Sequence, residues 1–161
     1  MSPHQEHRLG IEAPHSHLIQ GLSIVVFLVV WILDSLVFSF STILNNFIPL
    51  FIRIILFFIL ISIAYYLIHI SHKILFRQPE NKDDLITEGI FRHVRHPMYL
   101  GVLLIYLACI LLSFSFITLV VWIVIFLTYD RLASFEEKEL EKIFKEKYLE
   151  YKKKVSKWFP R

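Results

Sequence analysis

Two arginines, two histidines and a tyrosine crowd into the short stretch from Thr87 to Tyr99, directly before a long apolar run. The order Arg92-His93-Val94-Arg95-His96-Pro97-Met98-Tyr99 sets guanidinium and imidazole groups beside a phenol, where the chain would enter a bilayer. Such a cluster can hold an anionic group against an apolar wall. A second chemical cluster, Arg131 with Glu136 and Glu137, follows the next apolar run. Cations from one segment and carboxylates from the other suit a zwitterionic ligand. Arg95 or His96 would meet its carboxylate, and a glutamate would meet its ammonium or ribose hydroxyls. If the reacting atom must lose a proton, His93 and Glu137 are placed to take it.

These segments have to be brought together by membrane helices. The chain has 161 residues, is 56% hydrophobic and holds only four glycines, which excludes an ordinary soluble domain and points to one compact all-α membrane unit. A spanning helix needs about 20 mostly apolar residues. Residues 18–40 and 47–70 meet this, and the apolar block from Met98 to Tyr129 divides at Ser113-Phe114-Ser115 into spans 97–112 and 116–134. The expected fold is therefore a helical bundle of four transmembrane helices, in a single domain over 1–161. The first span is too long for the apolar core of a cleavable signal. Lys73, Arg77, Lys82, Arg92 and Arg95 lie between spans two and three, and a lysine-rich tail follows span four. The positive-inside rule puts both termini and the central loop in the cytoplasm. A tight turn between spans three and four makes their cytoplasmic ends neighbours, which joins segments 85–99 and 131–160 into one site.

Other features read as structure. The polar tail 1–17 carries His4, His7, His15 and His17 without the spacing of a metal site. The single cysteine, Cys109, lies within span three, so no disulfide forms within the chain. Asp34 and Arg53 sit at matched depths in spans one and two, about 9 Å below the outer face by helical rise. Because intramembrane charges are costly unless paired, an ion pair between them is expected. Residues 135–157 read as one amphipathic cytoplasmic helix, with Leu140, Phe144, Tyr148, Tyr151 and Val155 along its apolar stripe. Its wet face offers Glu141/Lys145 and Glu150/Lys154 as pairs one turn apart.

The order Thr87, Gly89, Phe91, Arg95-His96-Pro97, Tyr99 and Gly101 resembles the signature of the isoprenylcysteine carboxyl methyltransferase family. Its wider superfamily includes phosphatidylethanolamine N-methyltransferases. The tail agrees in order and spacing through Glu136-Glu137, Leu140, Phe144, Tyr148, Tyr151, Val155 and Pro160. The resemblance covers about half of the chain, from Leu85 onward. It implies an integral membrane enzyme that uses S-adenosylmethionine. By the same resemblance His96, Pro97, Met98, Tyr99 and Glu136 contact the cofactor, Leu85, Ile86 and Phe91 line it, and Arg131 serves the lipid substrate. Arg95, His96 and Glu137 are the catalytic candidates.

Methyl transfer from a sulfonium is an in-line displacement, so the protein chiefly positions donor and acceptor and excludes water. The acceptor implied first is an isoprenylcysteine-like carboxylate arriving from the bilayer among membrane lipids. A phospholipid amine and a small thiol remain alternatives, and nucleic acid is not a partner. Two readings from other classes compete. His69-x-x-His72 with His93-x-x-His96 could form a four-histidine metal site, and the chain could be a membrane scaffold without cofactor.

Overall fold

The computed structural model describes residue 13, residues 15–76 and residues 85–159. His4, His7, Arg77, Lys82 and Pro160 lie outside the described residues. These form five α-helices and no strand: α1 (Ser16–Ile32), α2 (Leu50–Phe76), α3 (Pro97–Ser113), α4 (Phe116–Phe144) and α5 (Glu146–Lys154). A π-helical turn, Leu33–Phe38, continues α1. Single 3-10 turns occupy Ile43–Asn46 and Gly89–Arg92.

Three stretches are long and apolar enough to cross a membrane: Ser16–Phe38, Leu50–Leu75 and Phe116–Phe144. Their outward side chains, such as Leu22, Val25, Phe58 and Val124, are exposed, as lipid-facing groups should be. The chain is a membrane protein. Helix α3 is apolar but shorter, 17 residues or about 25 Å by helical rise. The second helix starts later and ends later than the hydropathy suggests. Pro49 accepts the N–H groups of Ile52 and Arg53 and so defines its first turn, and the helix carries on to Phe76.

Helix α3 lies close against α2 because Gly101 leaves room. A Cβ there would stand 2.6 Å from Ile68 Cγ1 and 3.1 Å from the Ala64 carbonyl oxygen. Small residues permit this approach in membranes. The α3–α4 hairpin forms as expected. Phe114 adopts left-handed backbone at φ 44°, and Ser115 caps α4 by accepting the Thr118 N–H at 3.0 Å. Trp122 Nε1 then donates to the Leu103 carbonyl across the hairpin at 3.0 Å. Phe27, Leu103, Tyr106, Ile125 and Tyr129 fill the core between α1, α3 and α4.

The expected Asp34–Arg53 ion pair does not form. Asp34 is buried and accepts from the Ser41 N–H at 3.1 Å, the Ser41 hydroxyl, and the Ser115 hydroxyl at 2.5 Å. Arg53 instead donates to Asn45 Oδ1 at 2.6 Å and to the Leu112 carbonyl at 3.1 Å. The turns at this end of the bundle supply each charge with nearer partners than the other charge. Asp34→Asn and Arg53→Gln should therefore act additively on stability, with a coupling below about 0.5 kcal/mol in a double-mutant cycle.

The tail that follows the apolar part of α4 is not one helix either. Helix α4 runs unbroken out of the apolar region to Phe144, Lys145 turns the chain at φ 47°, and α5 follows. That break removes the Glu141/Lys145 pairing; Glu141 binds Lys152 instead. The apolar stripe survives the break. Tyr148, Tyr151 and Val155 are buried, with Leu85, Leu140 and Phe144 packed against them. The tail thus folds back onto the central loop.

Candidate active site

Three elements meet at the open end of the α3–α4 hairpin: the loop ending at His96, the second half of α4, and α5 with the residues after it. Gly89 starts the loop at φ 59°, where a side chain would be strained and its Cβ would strike Ile74 at 2.5 Å. Pro97 occupies the first turn of α3, where a missing N–H costs nothing, and so fixes His96 at the helix entrance. The loop is tied to the tail by the Arg95 N–H, which donates to the Ser156 carbonyl at 3.0 Å, and by the Tyr151 hydroxyl, which donates to the Phe91 carbonyl at 2.7 Å.

Glu137 is the centre of the site. Its side chain is 6% exposed and is met by Arg95 Nη2 at 3.0 Å, His96 Nε2 at 3.2 Å and Lys152 Nζ at 3.4 Å. Arg95 also donates through Nη1 to the Lys152 carbonyl at 3.0 Å. One residue earlier in α4, Glu136 accepts the Tyr99 hydroxyl, and its Oε2 lies 3.7 Å from His96 Nδ1. The His96 ring stacks on Tyr99 with centroids 5.9 Å apart, and Tyr99 meets Tyr129 edge to face at 5.3 Å.

The charges can be assigned. Burial pushes the His96 imidazole below its usual value, against the attraction of Glu137, so the ring is neutral near pH 7. Its Nε2–H then donates to Glu137, an assignment that follows from the network. Burial would raise the Glu137 carboxyl, but the His96 hydrogen bond and the Arg95 and Lys152 cations outweigh it and hold the group ionised. Lys152 is pushed up, chiefly by its bond to Glu141.

The structure gathers Arg95, His96, Tyr99, Glu136 and Glu137 around one point, with Pro97 buried beneath them. Leu85 and Phe91 stand under α5 and Met98 is half-buried at the α3 entrance, while Ile86 is half-buried in the loop. A cleft of about 380 Å³ opens beside Tyr151, lined also by Thr87, Arg92 and Lys154. Arg131 stands apart, exposed on the side of α4 that carries Phe135 and Lys138. His93 is exposed as well. No group of three or more His, Cys, Asp or Glu among the described residues is arranged to hold a metal ion.

Four residues of the neighbourhood escape the sequence reading: Asp130, Lys152, Lys157 and Trp158. Asp130 carried a signal, as a lone acid before Arg131 at the end of an apolar run. It accepts from Lys157 Nζ at 2.6 Å and from Trp158 Nε1 at 2.8 Å. Lys152, Lys157 and Trp158 carried none, being ordinary members of a basic tail.

A family model of phospholipid methyltransferases matches residues 50–147. The protein-S-isoprenylcysteine O-methyltransferase of Schizosaccharomyces pombe is 35% identical over 82 residues, which cover 50% of this chain and 35% of that protein. The chain thus spans about a third of the length of the curated relative it matches. No solved structure matches the chain. The matched region runs from the start of α2 to the start of α5 and takes in His96, Tyr99 and the Glu136–Glu137 pair, and the chain belongs to the phospholipid methyltransferase family.

Proposed function

We propose that this chain transfers a methyl group from S-adenosylmethionine to a lipophilic acceptor at the His96–Glu136–Glu137 cluster. The observation that carries the reading is the convergence of Arg95, His96 and Tyr99 on two adjacent carboxylates within the region matched to the family. The donor set fits the cofactor. Arg95 Nε is buried and has no acceptor among the described residues, so a donor is left over for a carboxylate. Glu136 and Glu137 suit an ammonium or ribose hydroxyls, and the Tyr99 and His96 rings suit a flat or cationic group. When bound, the cofactor supplies an electrophilic methyl on sulfur.

The remaining work falls to the chain. Arg95, His96, Tyr99 and Glu136 orient the donor, with Pro97 and Met98 as the floor and Leu85, Ile86 and Phe91 on the loop side. The positive-inside rule, applied to the cationic loop and tail, supports a cytoplasmic site and cytoplasmic termini. The acceptor reaches it from the bilayer, and Arg131 at the membrane border of α4 is placed to meet an anionic lipid head. An isoprenylcysteine-like carboxylate is the first choice of acceptor. It is already nucleophilic, and Glu137, held ionised by three neighbouring groups, is a weak base. A phospholipid amine is the second reading, favoured by one observation: neutral His96 keeps one ring nitrogen unprotonated.

A transfer assay separates them. The purified chain in phosphatidylcholine nanodiscs would receive methyl-labelled S-adenosylmethionine with N-acetyl-S-farnesylcysteine, phosphatidylethanolamine or decanethiol. The first choice predicts label on the farnesylcysteine that mild base releases as methanol, since the product is an ester. Base-stable label on phosphatidylethanolamine would select the amine reading, and label on none would exclude both.

A further inference from the structure

We propose that residues 155–158 form a strap that gates the bilayer side of the cluster, with Trp158 as the plug and the Lys157–Asp130 contact as its latch. The proposal rests on the methyltransferase reading and adds to it the route by which the acceptor enters. One side of the strap is fixed to the loop: Val94 and Ser156 form a parallel bridge, and the Arg95 N–H donates to the Ser156 carbonyl. Its other side is fixed to α4. Lys157 Nζ donates to the Asp130 carbonyl at 2.9 Å, Asp130 Oδ1 at 2.6 Å and Ser134 Oγ at 2.7 Å, which uses all three ammonium hydrogens. Trp158 Nε1 adds a fourth bond to this patch, at 2.8 Å to Asp130 Oδ1.

Depth gives the strap its meaning. Helix α4 runs toward the cytoplasm, and Asp130 precedes Glu137 by two turns, about 10 Å nearer the bilayer. Phe126 lies one turn deeper still. The Trp158 ring, 8% exposed, packs 5.4 Å from Phe126 and 6.0 Å from His96. It therefore fills the space between the apolar part of α4 and the cluster, while the next residue, Phe159, is 70% exposed. A lipophilic acceptor sliding along this face of α4 meets Trp158 before it meets His96.

The latch is built to open. Asp130 is 40% exposed and Lys157 17%, so water can reach the carboxylate side of the pair and compete for it. Everything polar on the α4 side of the strap runs through Asp130 and its neighbour Ser134. Removal of the Asp130 side chain should release plug and lysine together, while the contacts of His96 with Glu136 and Glu137 stay in place.

Trypsin scission after Lys157 reads the opening, because a protease needs the strap free of α4. In the 161-residue chain held in nanodiscs, Asp130→Ala should speed this scission about five- to tenfold, with Ser134→Ala between it and the wild type. Scission after Lys147, within α5, should keep its wild-type rate. The same Asp130→Ala variant should raise kcat/KM for N-acetyl-S-farnesylcysteine and leave affinity for S-adenosylhomocysteine within about twofold. An unchanged rate at Lys157, or equal acceleration at Lys147, would overturn the latch. Faster scission with unchanged acceptor kcat/KM would overturn the gate. Failure of the wild type to bind S-adenosylhomocysteine would instead remove the methyltransferase reading, and the scission rates would still report on the strap.

Discussion

Replacing Glu137 with alanine is expected to destabilise the folded chain by about 3–5 kcal/mol, the largest effect of any single substitution at the site. The reason is what the change leaves behind. Arg95, with a side chain only 10% exposed, would keep its charge, lose the carboxylate at 3.0 Å, and retain an Nε that already has no acceptor among the described residues. His96 would lose the acceptor of its ring N–H as well. Glu137→Gln keeps the shape and one acceptor oxygen and should cost roughly half as much. Lys152→Ala, at 38% exposure, removes a screened partner and should cost under about 1 kcal/mol. Denaturant unfolding of the three variants in one detergent checks the order; a Glu137→Ala cost no larger than that of Lys152→Ala would show that the network is not structural.

The same network sets the response to acid. His96 is held neutral in the fold, so below about pH 6.5 the unfolded chain binds a proton that the folded chain does not. Stability is full above that pH and falls as pH drops toward the depressed folded value. Glu137, also depressed, adds a loss of the same sign further into the acid range.

Much of this site is legible in the sequence because helix geometry does the joining. Ser113-Phe114-Ser115 breaks one apolar block into a hairpin, and a hairpin must bring His96 and Tyr99 to the same end as Glu136 and Glu137. The failures share a different cause. Asp34 and Arg53 match in depth, but depth says nothing about the nearer groups that turns deliver, and Ser41, Ser115, Asn45 and the Leu112 carbonyl reach them first. Periodicity runs straight through Lys145, because the stripe from Leu140 to Val155 keeps its spacing even though the backbone reverses there. The strap is invisible for a third reason. Its contacts join a non-helical segment to Asp130 across 27 and 28 residues, and no local pattern encodes such a pairing.

The second large effect is on ligand binding. Glu136 contributes less to the fold than Glu137: its side chain is 15% exposed against 6%, and the Tyr99 hydroxyl and His96 Nδ1 are among its partners. Its removal should therefore spare folding and fall on the ligand. A charge-assisted hydrogen bond contributes about 1.5–3 kcal/mol, which corresponds to roughly ten- to a hundredfold in affinity. His96→Ala removes the ring at the α3 entrance and should lose a similar factor. Calorimetric titration of the chain in phosphatidylcholine nanodiscs with S-adenosylhomocysteine tests the central claim most directly. Saturable one-to-one binding by the wild type, weakened at least about tenfold in both Glu136→Ala and His96→Ala, is the result expected. No saturable binding by the wild type, or wild-type affinity in both folded variants, would contradict a cofactor site at this cluster.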